Sequence, residues 1–114
     1  RKWEEEEYCG YLIEVNDKTA WMTGDSRLIT EHLSMKQPDV ILFDFSEDDW
    51  HITLEGAVKM ANTYPKSELI CIHYGCIDAP HMAPFNGNPM DLIEKVVCPE
   101  RVKVLAPGER YILK

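Results

Sequence analysis

Three residues in this sequence have the types and positions needed for metal binding or acid–base chemistry. Asp25 comes just after the apolar run Trp21–Thr23, His51 follows an acidic loop, and His73 ends the apolar run Leu69–His73. Carboxylate and imidazole groups together bind zinc, manganese or iron, and they also serve as general acids and bases. Because α/β proteins place their sites where strands end, we expect these three side chains to share one edge of a sheet.

Each of these residues also has a purely structural interpretation. Asp25 or Ser26 could cap the helix that follows. His51 could be no more than the neighbour of a helix start, and His73 could be a hydrogen-bonded core histidine. Asp44, inside an apolar run, is either a site acid or a strand-end residue that bonds to backbone. The residues alone leave these alternatives open.

The other two histidines are expected at the surface. His32 lies in a predicted polar helix, and His81 lies in the long irregular segment Tyr74–Asn88. Loops of that length in compact domains are often functional, but surface exposure is the simpler interpretation of His81.

The first half of the chain must deliver Asp25 to its position. The runs Tyr11–Val15 and Thr19–Thr23 are rich in β-forming residues, and Asn16-Asp17 between them suits a two-residue hairpin turn. We therefore predict a hairpin whose second strand leads to Asp25. A short helix is predicted over Leu28–Met35, where Pro38 stops it.

The rest of the chain predicts alternating strands and helices. Thr53 can cap a helix whose buried stripe is Leu54, Ala57, Val58 and Ala61. The expected elements are a strand Val40–Phe45, a helix from Leu54 to about Thr63, a strand Leu69–His73, a helix from Asn88 to about Val97, and two final strands, Arg101–Leu105 and Tyr111–Leu113, joined by a turn at Pro107-Gly108. This order predicts an α/β fold, with helices packed on a mixed sheet.

Composition excludes several classes of protein. The 114 residues suit one domain or part of one, and the net charge of -8 argues against a nucleic-acid surface. The acidic run Glu4–Glu7 is interpreted as a solvated face or edge. No apolar segment reaches membrane-spanning length, and no signal-peptide pattern occurs.

The four cysteines form no C-x-x-C pair, so a zinc ribbon or a thioredoxin motif is not expected. Cys71 is interpreted as a core residue, and reduced thiols favour a cytoplasmic location. The chain begins at Arg1 and reaches strand-like sequence almost at once, as a cut chain would, although a processed start gives the same pattern.

Six short stretches resemble, in the same order, the C-terminal half of metallo-β-lactamase-fold hydrolases, most closely the lactonase-like group. They cover nearly the whole chain: Gly10–Glu14, Thr23–Arg27, Pro38–Asp44, Trp50–Ala57, Ile72–Gly75 and Val104–Glu109. The resemblance implies half of an αββα sandwich. The family's His-x-His-x-Asp-His string, which belongs to the N-terminal half, does not occur here.

For the complete protein the resemblance implies a hydrolase that uses a water activated by two metal ions. Asp25 and His73 match metal ligands, and His51 matches a residue on the substrate side that could steady oxyanion charge. Zinc is the preferred ion, with manganese or iron as alternatives. The substrate is a small molecule such as a lactone, a phosphoester or an amide, and the partner is an N-terminal half of the same protein or a second copy of the chain.

Two other classes of function remain. The stretch Pro38–Asp44 resembles the strand of receiver domains that carries the phosphorylated aspartate, but the acidic pair and the late lysine of those domains are missing. The other alternative is a non-catalytic interaction fragment, whose uncovered apolar surface would lead to self-association.

Overall fold

The computed structural model describes residues 9–74 and 78–114, so the acidic run Glu4–Glu7 and Cys76 lie outside the described residues. Five strands and one α-helix form the main elements: β1 (Tyr11–Val15), β2 (Lys18–Met22), β3 (Val40–Asp44), α1 (Thr53–Thr63), β4 (Glu68–Ile72) and β5 (Val102–Lys103). The strands lie in one mixed sheet in the order β1-β2-β3-β4-β5.

The predicted hairpin is confirmed. β1 and β2 pair antiparallel, with Val15 opposite Lys18. The turn residues Asn16 and Asp17 have φ values of 50° and 64°, the left-handed conformation that a type I′ turn needs at both central positions. Asparagine and aspartate accept this conformation more readily than other non-glycine residues, so the local sequence determines this turn.

The other strands run parallel, which brings their carboxyl ends to one edge of the sheet. β2 pairs with β3, β3 with β4 and β4 with β5, all in parallel. Two bonds extend the pairing beyond the strand ends: Thr23 N donates to Leu42 O at 3.1 Å, and Phe45 N donates to Ile72 O at 2.9 Å. The segments that leave β2, β3 and β4 are thereby held next to one another.

The core lies between one face of the sheet and α1. Trp21, Ile41 and Leu69 are in register on neighbouring strands and are all buried. The buried residues of α1 are Gly56, Ala57, Met60 and Ala61. Of the predicted stripe, Ala57 and Ala61 are buried as expected, whereas Leu54 and Val58 flank the core and are only partly buried. The three-residue spacing from Ala57 to Met60 places Met60, rather than Val58, over the sheet.

Two predicted α-helices are wrong in type. Over Leu28–Met35 the chain forms only a 3-10 helix at Thr30–Leu33, and over Asn88–Val97 it forms a 3-10 helix at Pro89–Leu92 followed by turns. Asn88 does cap the second of these, since its side chain accepts from Met90 N at 3.0 Å. Both segments are short, and nucleating an α-helix is costly over so few residues. Within residues 9–74 and 78–114, one α-helix therefore packs on the sheet.

The end of the chain is also less regular than predicted. The strand expected over Arg101–Leu105 is reduced to β5, and Tyr111–Leu113 is not a strand. The turn at Pro107-Gly108 is confirmed, with Glu109 N donating to Ala106 O at 2.9 Å and Gly108 at a φ of 81°. The chain beyond this turn lies along the second face of the sheet, beside a groove of about 850 Å³ that Leu42, Ile70 and Ile72 help to line.

The hairpin strand β1 is exposed along its whole length, including Tyr11, Leu12, Ile13 and Val15. In the part of the chain that the structure describes, no helix has the length and apolar character needed to cross a membrane.

Candidate metal centre

Asp25 reaches the edge of the sheet through a tight turn after β2. Gly24 adopts a φ of 71°, and a Cβ at this position would lie 2.8 Å from Cys9 O, so only glycine fits. The turn also curls around Asp44: Thr23 Oγ1 donates to Asp44 Oδ1 and Ser26 N donates to Asp44 Oδ2, both at 3.4 Å. The neighbouring 3-10 helix has Ile29 at its N-cap, so neither Asp25 nor Ser26 caps it. Asp25 is left exposed at the sheet edge.

His51 is placed by the acidic loop between β3 and α1. Its Nδ1 lies 2.6 Å from Asp48 Oδ1, and its backbone N donates to Asp48 O at 3.2 Å. Its side chain is 14% exposed. The helix after it begins at Thr53 and has Ile52 at its N-cap, so the predicted cap at Thr53 is wrong in position, although Thr53 Oγ1 does accept from Gly56 N at 3.4 Å. His51 thus lies next to the start of the helix, and its ring is also hydrogen-bonded to Asp48 of the loop.

His73 directly follows β4 and is exposed, so it is not the core histidine of the structural alternative. Its φ of 55° lies in the left-handed region, where a non-glycine residue is strained. This backbone turns the imidazole toward His51, and the two ring centroids lie 4.8 Å apart with a 32° angle between the planes. Strain of this kind often occurs where a side chain must point at a ligand.

The three predicted residues come together. One ligand atom each from Asp25, His51 and His73 lies within 4.8 Å of the others. Two imidazole nitrogens and one carboxylate oxygen are a donor set that suits zinc and other first-row divalent ions. The chemistry of the donors therefore fits a metal ion, and the fit uses groups from three separate segments of the chain.

Beneath these donors lies Asp44, at the end of β3, with no exposed surface. Its Oδ2 is 4.0 Å from His51 Nε2. Burial raises the pKa of Asp44 to about 6, against the opposing effects of His51 and the backbone N–H groups of Ser26 and Ile52. A carboxyl enclosed in this way cannot accept a phosphoryl group from solution, so the receiver-domain alternative is not supported.

Asp48 is the functional candidate that the sequence interpretation missed. Partial burial raises its pKa, but hydrogen bonds from His51, Trp50 N and Ser46 outweigh this effect and keep the pKa below its usual range. The i,i+3 spacing from Asp48 to His51 in an acidic loop was the available signal, but short motifs of this kind are common.

The remaining histidines differ from each other. His81 is exposed, as predicted. The surface prediction for His32 is wrong, because its ring contacts Trp21 edge-on at 5.2 Å between centroids and burial lowers its pKa. The 3-10 helix Thr30–Leu33 packs against the core, and this brings His32 onto Trp21. A solvent-facing α-helix over this segment would have left His32 exposed.

Beside His51 there is a pocket of about 290 Å³. Its rim carries charges of both signs, with Arg27 and Lys59 opposite Asp48, Asp49 and Glu55. Arg27 lies over the Trp50 ring, 6.0 Å from its centroid. Asp25 and His73 do not line this pocket, so it lies beside His51 and Asp48 and not over the donor cluster.

Comparison with solved structures supports the fold. The chain superposes on Igni18, a novel metallo hydrolase from the hyperthermophilic archaeon Ignicoccus hospitalis KIN4/I, with a TM-score of 0.67 and 22% identity, over 88% of this chain and 43% of that one. It superposes on the isothiocyanate hydrolase from Delia radicum gut bacteria with a TM-score of 0.67 and 16% identity, over 89% of this chain and 42% of that one. The chain thus spans less than half the length of either structure.

Comparison of sequences gives the family. No curated protein matches the chain. The family described as a beta-lactamase superfamily domain matches residues 1–74, which include all three clustered donors. This chain therefore belongs to the family that is described as the beta-lactamase superfamily domain.

Proposed function

We propose that this chain carries the C-terminal half of the site of a metal-dependent hydrolase. The observation that carries the proposal is the cluster of Asp25, His51 and His73, whose ligand atoms lie within 4.8 Å of one another. Membership of the beta-lactamase superfamily supports it. Two proteins that share the fold are a metallo hydrolase and an isothiocyanate hydrolase, which agrees with hydrolysis as the reaction class.

In this proposal Asp25 and His73 hold divalent ions. The nitrogen and oxygen donors favour zinc, and manganese or iron would also be accepted. A pair of such ions, when bound in the complete protein, supplies a water of lowered pKa and polarises the scissile bond. The Asp25 carboxylate and the His73 imidazole are the groups of this chain that would hold these ions.

His51 acts on the substrate side. Its Nδ1 is engaged by Asp48, so the opposite nitrogen, Nε2, is the one that exchanges a proton or hydrogen bond with a reacting group. A protonated Nε2 would stabilise the negative charge that develops on the oxygen of a lactone, a phosphoester or an amide.

The second face of the sheet is proposed to receive another half. The groove of about 850 Å³ over Leu42, Ile70 and Ile72 is mostly apolar. The chain end covers part of this face, and a partner would cover the apolar surface that Leu42 and Ile72 leave partly exposed. We propose that this partner is the N-terminal half of the same protein or a second copy of the chain. The groove equally fits the non-catalytic interaction fragment, which is the second candidate function.

We place the protein in the cytoplasm. Among the described cysteines, Cys9, Cys71 and Cys98 are free thiols, as reducing compartments favour. Cys71 lies in the core, where burial raises its pKa to about 12, so it has no reactive role.

The test is a titration of the 114-residue chain with zinc, in which calorimetry measures the binding affinity. We expect Asp25→Ala and His73→Ala each to weaken zinc binding by at least about 100-fold, because a lost ligand costs more than the loss of an outer-shell partner. His81→Ala is the matched control, since His81 is exposed on a loop outside the donor cluster. Equal affinities in all four proteins would rule out the proposed site. In the complete enzyme the same two ligand variants should abolish hydrolysis.

A further inference from the structure

The Asp48 carboxylate is the centre of a small hydrogen-bonded loop. Its Oδ1 accepts from Trp50 N at 2.9 Å and from His51 Nδ1 at 2.6 Å, and its Oδ2 accepts from Ser46 Oγ at 3.0 Å. Three donors from one six-residue loop therefore converge on a single carboxylate. Asp48 is only partly exposed, with 22% of its side chain accessible, so the hydrogen bonds are partly shielded from competing water.

The geometry determines which nitrogen of His51 carries the proton. An ionised carboxylate only accepts hydrogen bonds, so the 2.6 Å contact requires a proton on Nδ1. In the neutral ring Nε2 is then bare, and it points toward the interior of the site, 4.0 Å from Asp44 Oδ2. When the ring gains a proton, that proton goes to Nε2. Proton exchange by His51 is thus restricted to the nitrogen that faces the site.

We propose that Asp48 is a positioning residue, which fixes the Nδ1–H tautomer of His51 and presents Nε2 to the cluster of Asp25 and His73. The inference rests on the proposed function in one respect only, namely that this cluster is the reactive centre. Carboxylate partners of this kind commonly orient imidazoles at metal and catalytic sites.

The neighbouring residue Asp49 provides a matched control. It has the same side chain and lies one residue later, but it is exposed and makes no hydrogen bond to His51 among the described residues. Any effect of losing a negative charge in this loop would be common to both aspartates. An effect on the His51 ring alone must come from the hydrogen bond of Asp48.

The experiment is nitrogen-15 NMR of the histidine rings in the full chain, kept metal-free with chelator and held at a pH where the rings are neutral. The His51 signals are assigned with His51→Gln. In the wild-type chain and in Asp49→Ala we expect the Nδ1–H pattern. In Asp48→Ala the ratio of Nδ1–H to Nε2–H should fall about tenfold or more, because the charge-assisted hydrogen bond that favours the Nδ1–H tautomer is lost.

Asp48→Asn keeps the proposal testable if the alanine variant fails to fold. Its amide can accept from an Nδ1–H ring or donate to a bare Nδ1, so the ratio of Nδ1–H to Nε2–H should fall while a polar side chain of the same size is kept. An Nε2–H ring in the wild-type chain would overturn the proposal, as would an unchanged tautomer ratio in Asp48→Ala or, if that variant does not fold, in Asp48→Asn.

The outcome is separable from that of the zinc titration. Ring tautomers are measured without metal, so they report on Asp48 even if the donor cluster binds no ion. Conversely, a loss of zinc binding in Asp25→Ala and His73→Ala supports the proposed function even if the tautomer ratio of His51 does not change when Asp48 is replaced.

Discussion

At the scale of single residues, the most unusual group is the buried carboxyl of Asp44. It has no exposed surface, yet the hydrogen bonds from Thr23 Oγ1 and Ser26 N are both long, at 3.4 Å. Weak partners compensate poorly for lost hydration, and the pKa is therefore raised to about 6. The surrounding fold keeps Asp44 in its buried position, and its own hydrogen bonds stabilise the ionised carboxylate only weakly.

This shift predicts how stability depends on pH. Below about pH 4, Asp44 is protonated in both the folded and the unfolded chain, and it adds no pH dependence. Between about pH 4 and the folded pKa of about 6, the unfolded chain releases the proton while the folded chain retains it. The free energy of unfolding should therefore fall as the pH rises through this range, by at most about 3 kcal/mol.

Urea unfolding of the metal-free chain at about pH 4, 5, 6 and 7 measures this effect against Asp44→Asn, which cannot titrate. The variant should gain stability relative to the wild-type chain as the pH rises to about 6, and the difference should then level off. Parallel curves for the two proteins would mean that the Asp44 carboxyl is not desolvated. Comparison with the variant removes the contributions of titrating groups that lie far from Asp44.

At the scale of elements, Arg101 joins the end of α1 to the segment before β5. Its guanidinium donates to Tyr64 O at 2.8 Å, Ser67 O at 2.9 Å and Ala61 O at 3.2 Å, and also to Val97 O at 2.6 Å. The residue is 5% exposed, and burial lowers its pKa. The last carbonyls of a helix lack partners within the helix, and here a cation supplies them.

Arg101→Ala should destabilise the chain by about 3–5 kcal/mol, because buried carbonyls lose their donors and a cavity remains. Arg101→Lys should recover little of this stability, because an ammonium group cannot donate to four carbonyl oxygens as the planar guanidinium group does. The measurement is the free energy of unfolding in urea, with exposed Arg110→Ala as the control. Full recovery by lysine would show that charge alone, and not the hydrogen-bond geometry, stabilises the helix end.

Short sequence patterns correctly predicted the elements whose structure depends on neighbouring residues in the chain. Asn16-Asp17 identified the hairpin, and the apolar runs identified β3 and β4 to within one residue at each end. The site residues were recognisable as polar groups at strand ends, and parallel pairing then brought them together.

What the sequence concealed depends on contacts between distant segments. Arg101 is buried only because Tyr64 and Ser67 present carbonyls to it, more than 30 residues earlier. His32 is half-buried because Trp21 contacts its ring, which no helical pattern can indicate. The 3-10 segments likewise gain their positions from the core, since their own propensity is too weak for an α-helix.

At the scale of the whole molecule, the described part of the chain holds one cluster of candidate donors, Asp25, His51 and His73, and the sequence lacks the His-x-His-x-Asp-His string that the family resemblance places in an N-terminal half. Asp25 and His73 can hold one ion with open positions, but a pair of ions needs more ligands than this chain supplies. We therefore expect the 114-residue chain to bind about one zinc ion and to show no appreciable hydrolysis of lactones or phosphodiesters.

Calorimetric stoichiometry and substrate assays with the purified chain test this expectation, with size-exclusion chromatography to record its oligomeric state. Addition of an N-terminal half that carries the missing string should raise the stoichiometry and produce turnover. Two tightly bound ions with turnover in the isolated chain would show that the half-site interpretation is wrong.

The convergence of β2, β3 and β4 at one edge also couples ion binding to folding. Asp25, His51 and His73 are far apart in the sequence, and no local stretch of chain can bring them together before the parallel strands pair. An ion that binds only the native chain shifts the folding equilibrium by mass action, by about 2.7 kcal/mol at a free concentration one hundred times its dissociation constant. The supply of divalent ions would then govern the fraction of chains that are folded, as well as the fraction that are loaded.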